Sequence, residues 1–221
     1  MKEKINLPTK ITISRIILSF LLIVAIIVMY LADQYTGFIA LANISIGGNS
    51  FINWIMIILF FVFIFASATD FLDGYLARKN NQVTDLGKFL DPIADKMLVN
   101  SMLIFLAINF TSLSTYTKIP FFCVILMIIR DLIVDGLRLM AAKKNVVISA
   151  NIFGKLKTVL QMFTIAFVFL NGFPFSYFDS TWNQYMTITS IFCYLTTIAS
   201  LVSGVIYVIQ NKHVIGGKNN E

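Results

Sequence analysis

Long runs free of charged residues recur along this sequence, at 16–32, 51–69, 97–117, 119–129, 162–178 and 180–210. No other feature narrows the possible folds as sharply. A helix rises 1.5 Å per residue, so roughly 20 apolar residues cross a ~30 Å hydrocarbon layer. A membrane barrel would instead alternate polar and apolar residues at period two, which these runs do not. The run beginning at Ile119 continues past Arg130 to about Ala142 as one helix-long segment. The expectation is an all-α integral membrane protein with six transmembrane helices, at about 14–33, 51–72, 92–112, 119–142, 154–174 and 184–210. An N-terminal interfacial amphipathic helix is expected over about 1–13 and a loose tail over about 211–221. Composition agrees: 58% of residues are hydrophobic and 13% charged, against roughly half and a quarter in soluble domains. There is no internal repeat, so residues 1–221 read as a single membrane domain.

Basic residues orient the helices. Lys2, Lys4, Lys10 and Arg15 surround the start of the first. Arg78, Lys79, Lys88 and Lys96 surround the second connection, and Arg138, Lys143, Lys144, Lys155 and Lys157 the fourth. Lys212 and Lys218 follow the last helix, whereas 34–50 and 175–183 hold neither Lys nor Arg. The positive-inside rule then puts both termini and the two charged connections on the cytoplasmic side of the cell membrane. The net charge of +6 therefore belongs to one membrane face, where it attracts anionic lipid rather than nucleic acid. The N-terminal MKEK and the run after it have the outline of a signal peptide, but no small-x-small cleavage site follows, so retention is expected. Cys123 and Cys193 lie in apolar spans and read as inert buried thiols, with no disulfide or metal site. His213 stands alone in a polar tail.

Charge returns abruptly after residue 69, in DFLDGYLARKNNQVTDLGKFLDPIADK (70–96). Residues three or four apart share a helix face. Asp70 and Asp73 then line one face at the end of the second helix. Asp91 and Asp95 line one face at the start of the third, with Pro92 in its first turn. The 17 residues between Asp73 and Asp91 let the chain return, so the two faces can meet. Four carboxylates gathered in a partly dehydrated place repel one another unless a divalent cation joins them. An oxygen-only donor set favours Mg²⁺, Mn²⁺ or Ca²⁺ over Zn²⁺, and four carboxylates suit two ions. The neighbours suit phosphate: Gly74, Ala77 and Gly87 leave room for a ligand near the backbone, and Arg78 presents a planar fork. A single Asp at a helix end is ordinarily just an interfacial charge. Four at these offsets, beside glycines and an Arg, are not.

The pattern Asp70-x2-Asp73-Gly74-x2-Ala77-Arg78-x8-Gly87-x3-Asp91-x3-Asp95 resembles, without departure, the signature of the CDP-alcohol phosphatidyltransferases. The resemblance covers nearly the whole chain, since that family has six membrane helices with the signature across the second and third. It implies CDP-diacylglycerol as donor, CMP as leaving group, and Mg²⁺ or Mn²⁺ as cofactor, as two ions on the four aspartates. It further implies Asp95 as general base, Gly74, Arg78 and Thr84 in binding the CDP moiety, and a homodimer. NLPTKITISR resembles the family's interfacial helix, which brings Pro8, Thr9 and Thr12 towards the nucleotide.

A second group of charges bears on the acceptor alcohol. Arg130, Asp131, Asp135 and Arg138 lie within the fourth helix. Arg130 and Arg138 are eight residues apart, hence within ~80° around the helix and ~12 Å along it. An arginine inside a span is costly and usually faces a polar cavity or a buried acid such as Asp131 or Asp135. RDLIVDGLR followed by GKLKTVLQM resembles the phosphatidylglycerophosphate synthase branch, whose acceptor is sn-glycerol 3-phosphate. Arg130, Arg138, Lys155 and Lys157 would supply cations for its phosphate. Asp131 departs from the Glu, and Asp135 from the small residue, more usual there. Other readings are a family member with another acceptor (a cardiolipin, phosphatidylserine or inositol-phosphate lipid synthase), a membrane prenyltransferase, or a cation transporter. A prenyltransferase would usually carry two separate Asp-rich repeats. A transporter would place its acids near the bilayer midplane.

Overall fold

The computed structural model describes residues 7–47, 50–79, 85–113, 116–144, 152–179, 182–183 and 186–212, with side chains except at 7–8, 46–51, 70–89, 91–92, 111 and 179. The chain forms two compact units, one ending at Tyr116 and the other starting at Thr117.

The first unit is built on α1, Leu7–Thr36, with α2 (Trp54–Lys79) and α3 (Asp85–Ala107) packed against it and each other. The expected interfacial helix over 1–13 is not a separate element in its described part. From Leu7 onward the lead-in and the span are one helix of 30 residues, ~45 Å long. After Pro8, in the first turn where a missing N–H is harmless, neither Pro nor Gly interrupts it before Gly37. The buried positions Thr9, Thr12, Arg15, Ser19, Leu22 and Ile26 are spaced by three or four, so they form one face. The polar part of that face is therefore turned into the unit rather than along a membrane surface. α1 stops at Gly37, whose φ of +62° is left-handed and whose N–H donates to the Asp33 carbonyl at 2.9 Å.

Between α1 and α2 the chain makes a 3₁₀ turn, Phe38–Ala42, and an antiparallel hairpin of β1 (Asn43–Gly47) and β2 (Ser50–Asn53). Asn43 pairs with Asn53 and Ile44 with Ile52. The sequence reading held no strand here, although the Gly-Gly-Asn of NISIGGNSFIN between short alternating runs is a hairpin signal. Buried polar groups tie this end together. Asn53 caps α2, its Oδ1 accepting from Ile55 N at 2.9 Å, while its amide donates to the Ile39 carbonyl at 2.9 Å. Asp33, 1% exposed, accepts from the N–H of Ile39 (3.3 Å), the N–H of Ser112 (3.1 Å) and the Ser112 hydroxyl. Asp33→Ala leaves those donors without their carboxylate and is expected to cost at least about 1.5–3 kcal/mol. Thermal unfolding in detergent measures it. Asp33→Asn, which keeps an acceptor oxygen, should lose less.

α3 begins at Asp85, so Pro92 lies inside the helix rather than in its first turn. An acid at the first helical position suits the positive end of the helix dipole and favours the earlier start. The proline then removes a single backbone hydrogen bond near the helix end.

The second unit contains α4 (Phe121–Lys143), α5 (Ile152–Phe169), the single turn α6 (Ser176–Asp179) and α7 (Ile188–Gln210), with α7 packed on both α4 and α5. α5 ends before the expected 174 because the chain turns left-handed at Asn171 (φ +52°) and Gly172 (φ +75°). A Cβ at Gly172 would also stand 2.9 Å from Thr189 Oγ1. α7 starts at Ile188 because the Thr187 hydroxyl caps it, accepting from Ser190 N at 3.2 Å.

The surface is inverted relative to a soluble protein. Phe65, Leu132, Leu195 and Ile209 face outward, while Thr164, Thr196, Ser200 and Ser203 are buried. Among the described residues, the helices over Thr9–Thr36, Ile152–Phe169 and Ile188–Gln210 are long and apolar enough to cross a bilayer, and Trp54–Thr69 is a shorter apolar helix. The chain is a mostly helical membrane protein. α3 and α4 are of spanning length but carry the charges discussed below.

Candidate active site

The sequence signature falls on two joined helices of the first unit. Asp70, Asp73, Gly74, Ala77 and Arg78 lie in the last three turns of α2. Gly87, Asp91 and Asp95 lie in the opening turns of α3. The helices pack together, and only residues 80–84 join Lys79 to Asp85. Six Cα steps span at most about 20 Å, so the acidic ends of α2 and α3 belong to the same end of the unit. The side chains of Asp70, Asp73, Arg78 and Asp91, with those of Pro8 and Ala77, lie outside the described residues, as does Thr84 entirely. Asp95 is described and exposed. Among the described residues there is no group of three His, Cys, Asp or Glu side chains, as follows when only one of the four aspartate side chains is described. The chemistry of the donor set, carboxylates alone on two adjoining helix ends, fits a hard divalent ion.

α1 begins at this end. Thr9 and Thr12, singled out for the nucleotide, are each 2% exposed on the face of α1 turned to its neighbours. Arg15, on the same face, is also 2% exposed. In the sequence it stands only as an orienting charge. Its spacing of three from Thr12, which continues the Thr9–Thr12 step, was the available signal.

In the second unit the four proposed acceptor cations have different fates. Lys157 on α5 is 6% exposed, and its ammonium straddles the Asp131 carboxylate at 2.9 and 2.8 Å. Arg130 meets the same carboxylate at 3.0 Å. Its Nε donates to the Ser200 carbonyl at 3.1 Å, and a terminal nitrogen donates to the Ser203 hydroxyl. Asp131 therefore joins α4 to α5, and Arg130 joins α4 to α7. Arg138 lies along α7 at Tyr207, with Nε donating to the phenolic oxygen at 3.1 Å and the guanidinium carbon 5.6 Å from the ring centre. Lys155 is exposed, and Asp135 is half-buried. The structure thus brings Arg130 and Lys157 together and leaves Arg138 and Lys155 outside that contact. Asp131, a departure from the usual Glu, is its hub: Arg130 and Lys157 share its carboxylate. Gln161, Thr164 and Thr196 extend the buried polar strip along α5 and α7, with the Thr164 and Thr196 hydroxyls 2.8 Å apart. Sequence reading missed this strip, because threonines and serines scattered through an apolar run show no local pattern.

Comparison with known proteins gives consistent matches. A family model for CDP-alcohol phosphatidyltransferases matches residues 5–202. A Mycoplasma genitalium protein named CDP-diacylglycerol--glycerol-3-phosphate 3-phosphatidyltransferase is 39% identical over 188 residues, covering 83% of this chain and 76% of its own. The Bacillus subtilis protein of that name is 39% identical over 170 residues, covering 77% and 79%. That of Mycoplasma pneumoniae is 36% identical over 210 residues, covering 93% and 87%.

Proposed function

This chain belongs to the CDP-alcohol phosphatidyltransferase family, and from that premise we propose that it transfers the phosphatidyl group of CDP-diacylglycerol to sn-glycerol 3-phosphate. The products are phosphatidylglycerophosphate and CMP. The observation that carries the proposal is the complete eight-residue signature on the adjoining ends of α2 and α3, in a chain 36–39% identical to proteins named for that reaction.

In this reading Asp70, Asp73, Asp91 and Asp95 hold two Mg²⁺ or Mn²⁺ ions. When bound, such ions offset charge on the donor pyrophosphate and the departing CMP. Gly74, Ala77 and Gly87 let the nucleotide approach the backbone, and Arg78 binds phosphate oxygens, with Thr84 beside them. Pro8, Thr9 and Thr12 border the same end from α1. Asp95 accepts the proton of the acceptor hydroxyl as that oxygen forms its bond to the β-phosphorus. The bond from that phosphorus to the bridging oxygen breaks, and CMP leaves with its electron pair. The paired cations Arg130 and Lys157 support a phosphorylated rather than an uncharged acceptor, with Arg138 and Lys155 as outlying cations. Purified protein given radiolabelled CDP-diacylglycerol and a panel of alcohols tests the proposal. Product from glycerol 3-phosphate is expected. Product from glycerol, serine or phosphatidylglycerol instead would replace the acceptor while leaving the donor chemistry.

The same proposal includes six membrane crossings by α1 to α5 and α7, a single domain, a homodimer, and termini and active site on the cytoplasmic side. The Lys and Arg asymmetry supports the orientation. In a Cys-free background, Ser45→Cys is expected to react with an impermeant thiol reagent in intact cells, and Asn80→Cys only after lysis. The reverse pattern would invert the topology.

The acceptor cations give a kinetic expectation. A charge-assisted hydrogen bond contributes about 1.5–3 kcal/mol. Arg130→Ala should therefore raise the acceptor KM at least about tenfold, with much less effect on donor KM. Arg78→Ala should chiefly impair use of CDP-diacylglycerol.

A further inference from the structure

Arg130 reaches α7 at a position where a larger residue would block it. Its side chain lies over Gly204: an added Cβ there would stand 2.7 Å from Arg130 Cγ, 3.3 Å from Nε and 3.6 Å from Cδ. The first of these separations is shorter than non-bonded carbons tolerate. The nearest atom belongs to the stem of the arginine rather than its mobile tip, so relief would require moving the whole side chain. Gly204 sits within α7 and its φ is not left-handed. The backbone there does not call for glycine, and a glycine inside a helix weakens it relative to alanine. By contrast, a Cβ at Gly136 or Gly154 would meet nothing within 4 Å.

The neighbours of Gly204 receive the guanidinium. The Ser200 carbonyl takes Nε and the Ser203 hydroxyl takes one terminal nitrogen, while Asp131 takes the other. Three of the five N–H donors of an arginine are thereby given fixed directions. Arg130 is consequently held flat in a notch of α7, in register with the carboxylate that also grips Lys157.

We propose that Gly204 is a positioning residue for the transferase reaction: it leaves the notch in α7 that aims Arg130, with Lys157, at the phosphate of the acceptor. The assignment rests on the acceptor reading given above. A methyl group at 204 pushes the arginine stem off α7, breaks its bonds to Ser200 and Ser203, and misdirects the guanidinium. Gly204 and Arg130 belong to the second unit, whereas the donor signature lies in the first.

The test is a double-mutant cycle on full-length protein in detergent, with steady-state kinetics for both substrates. Gly204→Ala is expected to raise the glycerol 3-phosphate KM about tenfold, comparable to loss of one charge-assisted bond, and to change the CDP-diacylglycerol KM far less. In an Arg130→Ala background, where no stem remains to be displaced, the same substitution should have no further effect. Gly136→Ala, the open-space control, should leave both KM values unchanged. An unaltered acceptor KM in Gly204→Ala overturns the proposal. So does an effect that adds in full to that of Arg130→Ala, or an equal change in both KM values. If Arg130→Ala is not recovered folded, Gly204→Ser takes its place. Being bulkier, it must raise the acceptor KM at least as far as Gly204→Ala, and a smaller rise overturns the proposal. A wild-type protein that uses only an uncharged alcohol defeats the acceptor reading instead. The coupling between positions 130 and 204 is then measured with that alcohol, so the two failures are distinguishable.

Discussion

Replacing Asp95 with Asn is expected to lower turnover by about 10²–10⁴-fold, the range for loss of a general base. The amide keeps the size and one oxygen of the side chain but cannot take the hydroxyl proton at neutral pH. Asp95 is exposed near the start of α3, so an acceptor arriving from water can reach it. Removing the proposed ions should have a comparable effect, since the same four acids are proposed to hold them. Excess chelator is expected to abolish turnover, and Mg²⁺ or Mn²⁺ to restore it. CMP release from CDP-diacylglycerol measures both. Full turnover in chelator would remove the ions from the mechanism, and near-normal turnover in Asp95→Asn would move the base elsewhere.

The second large effect is expected on stability. Asp131→Asn leaves Lys157 and Arg130 close together with no acid between them. The side chains are 10%, 7% and 11% exposed, so water screens them little. Taking away one partner of a buried ion pair costs about 3–5 kcal/mol, because the remaining charge stays buried without compensation. Lys157→Met should cost less, since Asp131 retains Arg130 at 3.0 Å. Thermal unfolding in detergent should therefore rank Asp131→Asn below Lys157→Met, and both below Asp131→Glu. Equal stability of Asp131→Asn and wild type would mean that the carboxylate is not the hub of this group.

The buried triad also marks the boundary of what the sequence shows. Arg130 within an apolar run invited two readings, an ion pair or an anion site, and both depend on what lies opposite. Lys157 is 26 residues from Asp131 in the chain, and Ser203 is 73 from Arg130. No local spacing expresses such pairings. They follow from which helix faces pack together.

The sequence by itself determined the long helices, because uninterrupted apolar length is a local property and a helix satisfies its own backbone. It also determined the family, since the signature is a set of fixed offsets within two helix ends. Helix limits were legible only to within several residues. Asp85 rather than Pro92 opens α3, and the left-handed Asn171–Gly172 pair closes α5. Tertiary structure alone decided that Arg15 and Thr12 face inward, that one aspartate serves two cations, and that α7 carries a notch at Gly204. The physical reason is common to all three. Burial, ion pairing and steric fit depend on atoms brought together from distant parts of the chain, whereas helix formation and helix-face periodicity depend on neighbours a turn away.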